Sequence, residues 1–454
     1  MSKVLYRHNV SHDLPRAVGG DGAWIIDETG RRYLDASGGA AVSCLGHSNE
    51  KIRAALTAQV ESLAYAHTRY FTTAPMEELA DLLVGSAPDP LSKIWFTSGG
   101  SEAVEAALKI TRQYFFEIGQ PDRRFIIGRQ QGYHGSTTGA LSAGGNAWRR
   151  RIFEPVLLQT THHIGPCYPY RHRRADESLE AYGRRTADEL EAKIQELGPG
   201  NVAAFMAETV VGSSIGTQVA APGYFTRIRE ICDRHGVLLI LDEVMCGMGR
   251  TGTRFAFEQE GIVPDMVALA KGLSAGYVPF GALLLADKIH RAIENGSKAV
   301  MHGHTFMGHA LGCTAALAAQ RFIDDNDLLQ AVRERGASLE QKLKERFGQH
   351  PNVGDIRGRG LFWSLELVAD RNTQAPFAQA AGLAGKIKDG AMANGLICYP
   401  MGGVADGRQG DVVMLAPPFI VTEAEIDMIV DRLSQTLDEV LAKVPAEVPV
   451  GAAA

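Results

Sequence analysis

The chain has 454 residues and 45% hydrophobic content, enough to bury a large core and to form more than one domain. A net charge of −6 argues against nucleic acid as a partner, and the absence of any apolar run of membrane-spanning length argues against a membrane. The six cysteines are scattered without a CxxC pair, which predicts reduced thiols in an intracellular, cytoplasmic protein and neither a disulfide frame nor a zinc site.

Residues 1 to about 50 read as a mostly extended lead-in, with a hairpin over 24–35 turned at Gly30. Helical spacing of Ile52, Leu56 and Val60 predicts a helix over 50–63, and a second follows over 75–83. Residues 93–97 are strand-like, Ser98-Gly99-Gly100-Ser101 is a small-residue turn, and 102–116 form a helix. Strand, glycine turn and helix start make an anion site from free N–H groups, although capping by Ser101 reads equally well. A strand over 124–127 leads to Tyr133 in a turn, followed by a strand over 156–159 and an extended loop over 166–171. Arg171, Arg173 and Arg174 read as surface, ahead of a solvated helix over 177–197.

The strand 202–208 ends on Glu208, the helix 223–235 stops at Gly236, and the strand from 237 delivers Asp242-Glu243. The apolar run 266–270 ends on Lys271, and a further strand covers 280–285. Alternation on a strand places Asp242 and Val244 on one face and Glu243 on the other, so an acid and an apolar pad can meet one flat ligand. A lysine closing an apolar run is expected to be a reactive, pKa-shifted amine more often than a structural ion-pair partner. Strands and helices alternating from about 93 to 285 predict an α/β fold with a mostly parallel, helix-covered sheet whose ligands sit at the strands' carboxyl ends. Those ends carry Asp242, Lys271, Glu208 and the Ser98–Ser101 turn.

The remainder predicts a smaller α+β domain: helices over 312–324, 328–347, 378–394 and 422–443, with β elements over 356–367, 396–399 and 411–415. Residues 444–454 read as frayed. The histidine pairs His162/His163 and His302/His304 lack ligand company, so no metal is expected. Gly247-x-Gly249-x-x-Gly252 follows a strand and matches a dinucleotide fingerprint. It fails in context, because no helix opens after it and two acids at the strand end would repel a pyrophosphate.

The segments Thr97-Ser98-Gly99-Gly100-Ser101-Glu102-Ala103, Tyr133-His134-Gly135, Leu241-Asp242-Glu243-Val244 with Gly249-Arg250-Thr251-Gly252, and Ala270-Lys271-Gly272 together resemble the class III pyridoxal-phosphate aminotransferases of fold type I, the ω-amino acid and amine:pyruvate group. The resemblance implies a large domain over 61–310 and a small domain built from 1–60 and 311–454. It implies Lys271 as the residue that holds pyridoxal 5'-phosphate covalently and moves the proton, and Asp242 as the acid on the pyridine nitrogen. Val244 and Tyr133 flank the ring in this reading. Gly100 and Ser101 cup the phosphate, and His134 and Glu208 complete the cofactor set. Thr305 reaches the neighbouring subunit's phosphate, which implies a homodimer with active sites at its interface, a tetramer being left open. Thr209 and Ser213 depart from the family's proline and glutamate, which weakens a 4-aminobutyrate or ornithine reading. Arg408 could hold a substrate carboxylate or be a solvated loop arginine, and both readings stay open. The expected activity is transfer of an amino group from an ω-amino acid or amine to a small keto acid, pyruvate above all, by a ping-pong route. A racemase, aminomutase or decarboxylase on the same residues is the alternative, and a nicotinamide enzyme or a non-catalytic binding protein is a remoter one.

Overall fold

The computed structural model describes residues 3–4 and 14–444, so the expectation for the C-terminal tail lies, beyond Val444, outside the described residues. Leu238–Asp242 and Met266–Ala270 are apolar along their whole length because both sides of their sheet are covered. Leu239, Leu241, Val267 and Leu269 point into one core, while Leu238, Ile240, Met266 and Ala268 point into the other. The sheet runs Leu91–Thr97, Gly281–Ala286, Met266–Ala270, Leu238–Asp242, Val202–Glu208, Phe125–Arg129, Thr161–Ile164. Gly281–Ala286 is antiparallel to both neighbours, and the remaining pairings are parallel. The register sets Asp242 beside Glu208 on one side and Ala268 on the other. Lys271 is one residue past the end of Met266–Ala270, so acid and amine emerge at the same sheet edge.

The helix Gly100–Glu117 lies on this sheet through Ala103, Val104, Ala106, Ala107 and Ile110. Its alanines allow a close approach, and full burial of an aliphatic such as Ile110 contributes about 1.5–3 kcal/mol. A second core gathers residues from both ends of the chain. Ala17–Asp21, Trp24–Asp27 and Arg32–Asp35 form a sheet that Leu396–Ile397 completes in parallel. Val353–Arg359, Phe362–Leu367, Asp411–Leu415 and Tyr399–Gly402 form another, beside the helices Leu328–Phe347 and Glu423–Leu441. The helix Ala310–Asp325 serves both cores: Cys313 and Ala316 face the first, Ala319 and Ile323 the second.

Several elements differ from the sequence reading. No strand forms over 156–159: Val156 closes the short helical turn Glu154–Val156, which carries Pro155 near its start, 157–159 are irregular, and the strand itself is Thr161–Ile164. The single β element over 356–367 is a hairpin turned at Gly360, whose φ of +59° favours glycine. The strand over 396–399 divides at Cys398 between two different sheets. Arg171 is not a free surface cation. Its Nε donates to Glu366 Oε1 at 2.7 Å, because that glutamate lies on a strand with no exposed position and needs cationic partners. Tyr168 and Arg357 also bond Glu366, and Arg357 donates to the Ile215 carbonyl. Among the described residues no helix is long and apolar enough to cross a membrane, and no cluster of side chains could hold a metal.

Candidate active site

Lys271 follows a strand and takes φ of +49°, a left-handed conformation that costs a non-glycine residue about 1–3 kcal/mol and that clusters at functional sites. The turn is held from behind by Gln320, whose Nε2 donates to the carbonyls of Gly272 at 3.1 Å and Leu273 at 2.8 Å. Burial, opposed by the charges of Asp242 and Glu208, lowers the Lys271 amine to about 8. The amine borders a cavity of about 360 Å³ lined by Gly100, Ser101, Tyr133, His134, Glu208, Asp242, Val244 and Lys271 among others. Eight of the ten residues singled out from the sequence thus share one cavity.

Asp242 is fixed by two donors: Oδ2 accepts from the His134 Nδ1–H at 2.9 Å and Oδ1 from the Val244 N–H at 3.0 Å. The first bond requires Nδ1 to carry a proton, since an ionised carboxylate only accepts. Val244 is therefore in a turn closed on Asp242 rather than on a continuing strand, and it reaches the cavity by that route. Burial works against charge on His134, but the bond to Asp242 and the charge of Glu208 outweigh it and raise the imidazole above its ordinary value. Glu208 Oε1 accepts the Tyr133 N–H at 3.2 Å, burial pushes its carboxyl up, and Arg129 stands 3.6 Å from Oε2. Glu243 is turned away from the cavity, accepting from Thr209 Oγ1 at 2.8 Å and from the Ala256 and Phe257 N–H groups at 2.7 Å.

The helix Gly100–Glu117 has Gly99 at its N-cap and no side-chain cap. The Ser101 hydroxyl accepts the Ser136 N–H at 3.1 Å, so no side chain caps the first N–H groups of the helix, whose residues Gly99, Gly100 and Ser101 line the cavity. A Cβ at Gly100 would stand 2.9 Å from Val244 Cγ1, so only glycine lets Val244 pack there. Two residues stand apart. Thr305 is exposed and its carbonyl accepts from Tyr65 Oη at 2.8 Å; Arg408 is exposed on its loop, with its backbone N–H bonded to Asp406 Oδ1 at 2.8 Å. Sequence reasoning missed Gln320 and Arg149, whose guanidinium lies 4.4 Å from the Tyr133 ring centroid. Gln320 had a signal, a polar residue on the Cys313–Ala316 stripe of an alanine-rich helix. Arg149 had none, because only tertiary folding brings it to Tyr133.

A mostly parallel sheet whose carboxyl ends deliver a lysine, an acid and an uncapped helix start to one cavity defines a pyridoxal-phosphate enzyme of fold type I. The chain belongs to the class III aminotransferases, matching that family over residues 6–437. It is 43% identical over 444 residues to an uncharacterized aminotransferase of Schizosaccharomyces pombe, covering 97% of this chain and 96% of the relative. It is 34% identical to the putrescine–pyruvate aminotransferase of Pseudomonas aeruginosa, covering 94% of this chain and 91% of that one. The omega transaminase of Pseudomonas jessenii in complex with PMP superposes with a TM-score of 0.90 at 34% identity, over 95% of this chain and 94% of that one. The protein is therefore an aminotransferase, of a family that uses pyridoxal phosphate. The residues present fit that group: a lysine amine lowered toward neutrality, an acid fixed by two donors, and an uncapped helix start opening on one cavity.

Proposed function

We propose that the protein transfers the amino group of an ω-amino acid or simple amine to a small keto acid, pyruvate foremost, in two half-reactions at this one cavity. The observation that carries the reading is the convergence of Lys271, Asp242 and the Gly100 helix start on a single cavity. When bound, the cofactor supplies the electron sink and the carbon that carries the amino group, chemistry that no side chain offers. Lys271 would hold it covalently and, when its amine is free, would take and return a proton at Nζ; an amine near 8 suits that work close to neutral pH. Asp242 would keep a proton on the ring nitrogen, with His134 and the Val244 N–H holding its carboxylate in place. Tyr133 and Val244 line the cavity where they would flank the ring, and the Gly100 and Ser101 N–H groups would bind the phosphate. Glu208 supports the Tyr133 turn through its N–H.

Pyruvate is favoured as acceptor by the likeness to a putrescine–pyruvate aminotransferase. Thr305 lies outside its own subunit's cavity lining, exposed and next in the chain to exposed Phe306, which supports a homodimer in which it completes the partner's phosphate site. The test is a visible absorption scan of the holoenzyme, with amine added first and pyruvate second. The cofactor band is expected to collapse with amine and return with pyruvate, and Lys271→Ala to abolish the cycle. A band that no amine converts, or turnover without any keto acid, would sink the transaminase reading.

A further inference from the structure

A keto acid brings a carboxylate to the cavity and a simple amine does not, so a site that takes both in turn needs a cation for one substrate and not the other. Among the described residues the cavity wall has none to spare. Its cationic groups are Lys271, which the proposed chemistry occupies, and His134, which is bonded to Asp242 at 2.9 Å. Its acids, Asp242 and Glu208, would repel a carboxylate. A cation stands against this wall from outside the lining: the Arg149 guanidinium, 4.4 Å from the ring centroid of Tyr133. We propose that Arg149 is a specificity-determining residue that binds the carboxylate of the keto acid at the Tyr133 side of the cavity. The inference rests on the reading of the protein as a transaminase between amines and keto acids.

The backbone that carries Arg149 is fixed on both sides. Asn146 Oδ1 accepts the Arg149 N–H at 3.1 Å and caps the short helix Ala147–Arg150. Arg150 Nη1 donates to the carbonyls of Ser142 at 2.6 Å and Gly144 at 2.7 Å, tying that helix to the end of the preceding one, Thr138–Ala143. Five N–H donors in a planar fork suit an arginine to bond a carboxylate bidentately while it rests on an aromatic ring. The charge also reaches the reacting end of the site. After burial, and against Asp242 and Glu208, the guanidinium of Arg149 is a further cause that lowers the Lys271 amine. Arg149 is half-buried, where a charge pair is screened less than in open solvent, whereas Arg408 is exposed. The two arginines belong to touching segments, since a Cβ on Gly407 would stand 3.4 Å from Ala147 Cβ. Of the two, burial and the contact with Tyr133 select Arg149.

The test compares pyruvate with acetaldehyde, which is pyruvate without its carboxylate, as amino acceptors. Protein loaded with pyridoxamine 5'-phosphate is mixed with each, and the return of the visible cofactor band gives a second-order rate constant. Arg149→Gln is expected to lower the constant for pyruvate roughly 10- to 150-fold relative to that for acetaldehyde, the scale of a hydrogen-bonded charge pair. Arg149→Lys, which keeps the charge and loses the fork, is expected to fall between. Calorimetric titration of the pyridoxal-phosphate form with propionate, an unreactive carboxylate, is expected to show Kd raised by a similar factor in Arg149→Gln. An unchanged ratio and an unchanged propionate Kd would overturn the proposal. So would an equal loss with both acceptors, which would mean that Arg149 acts only through the Tyr133 ring, or a larger change of ratio in Arg408→Gln than in Arg149→Gln. In each of these cases a wild-type band that still cycles with amine and pyruvate leaves the transaminase reading standing. A wild-type band that pyruvate never restores removes that reading, and this one with it.

Discussion

Replacing Gly100 by alanine puts a methyl group 2.9 Å from Val244 Cγ1, 3.1 Å from Cγ2 and 3.4 Å from Ala270 Cβ. Overpacking of this kind costs about 1–3 kcal/mol. The gain in helix propensity from Gly to Ala is at most about 0.5–1 kcal/mol, and less at the first helical position, so the steric term wins. Where the cost falls depends on what fills the cavity. Without cofactor, Val244 can swing into the space of about 360 Å³ and relieve the contact, so the apoprotein's Tm should change little. With the ring bound against it, Val244 has no such escape, and the penalty appears as weaker binding. A cost of about 1–3 kcal/mol corresponds to a roughly 5- to 150-fold rise in Kd for pyridoxal phosphate. The assay is a titration of cofactor into dialysed apoprotein, with thermal denaturation of both forms. A large fall in apoprotein Tm together with an unchanged Kd would refute the reasoning, since it would place the strain in the scaffold and not between Val244 and the ring.

Burial raises the Glu243 carboxyl from 4.5 to about 7, so the fold favours its protonated form. That stability is fully present below pH 4.5 and is lost as pH rises through about 7, a change of about 3 kcal/mol. Glu243→Gln, which mimics the protonated acid, should flatten Tm between pH 5 and 8, and an unchanged slope would rule this out. Glu366→Gln leaves Arg171 and Arg357 without their buried acid and should cost about 3–5 kcal/mol in denaturant unfolding. The same change should loosen the loop beside the cavity, because Arg357 also holds the Ile215 carbonyl. Thr422→Ala removes a helix cap paired with Glu425 and should cost about 1 kcal/mol in denaturant unfolding; no loss would show that the cap contributes nothing.

Local chemistry written in consecutive residues was legible without a structure. The run into Asp242, the run into Lys271 and the small-residue turn before residue 100 each announce a strand end or a helix start, because alternation and apolar period are short-range properties. The helix Leu328–Phe347 came out to the residue for the same reason, its buried positions recurring at helical spacing. Other features answer to distance in space. Sequence could not show that Cys398 divides two sheets, since strand partners are chosen by the packing of both chain ends into one core. It read Arg171 as surface because the acid that claims it is 195 positions away. The motifs by themselves picked out residues that meet at one cavity; the tertiary structure decided what stands behind them. His134 fixing Asp242 and Gln320 holding the Lys271 turn are contacts between segments far apart in the chain, made only once the sheet sets its carboxyl ends side by side.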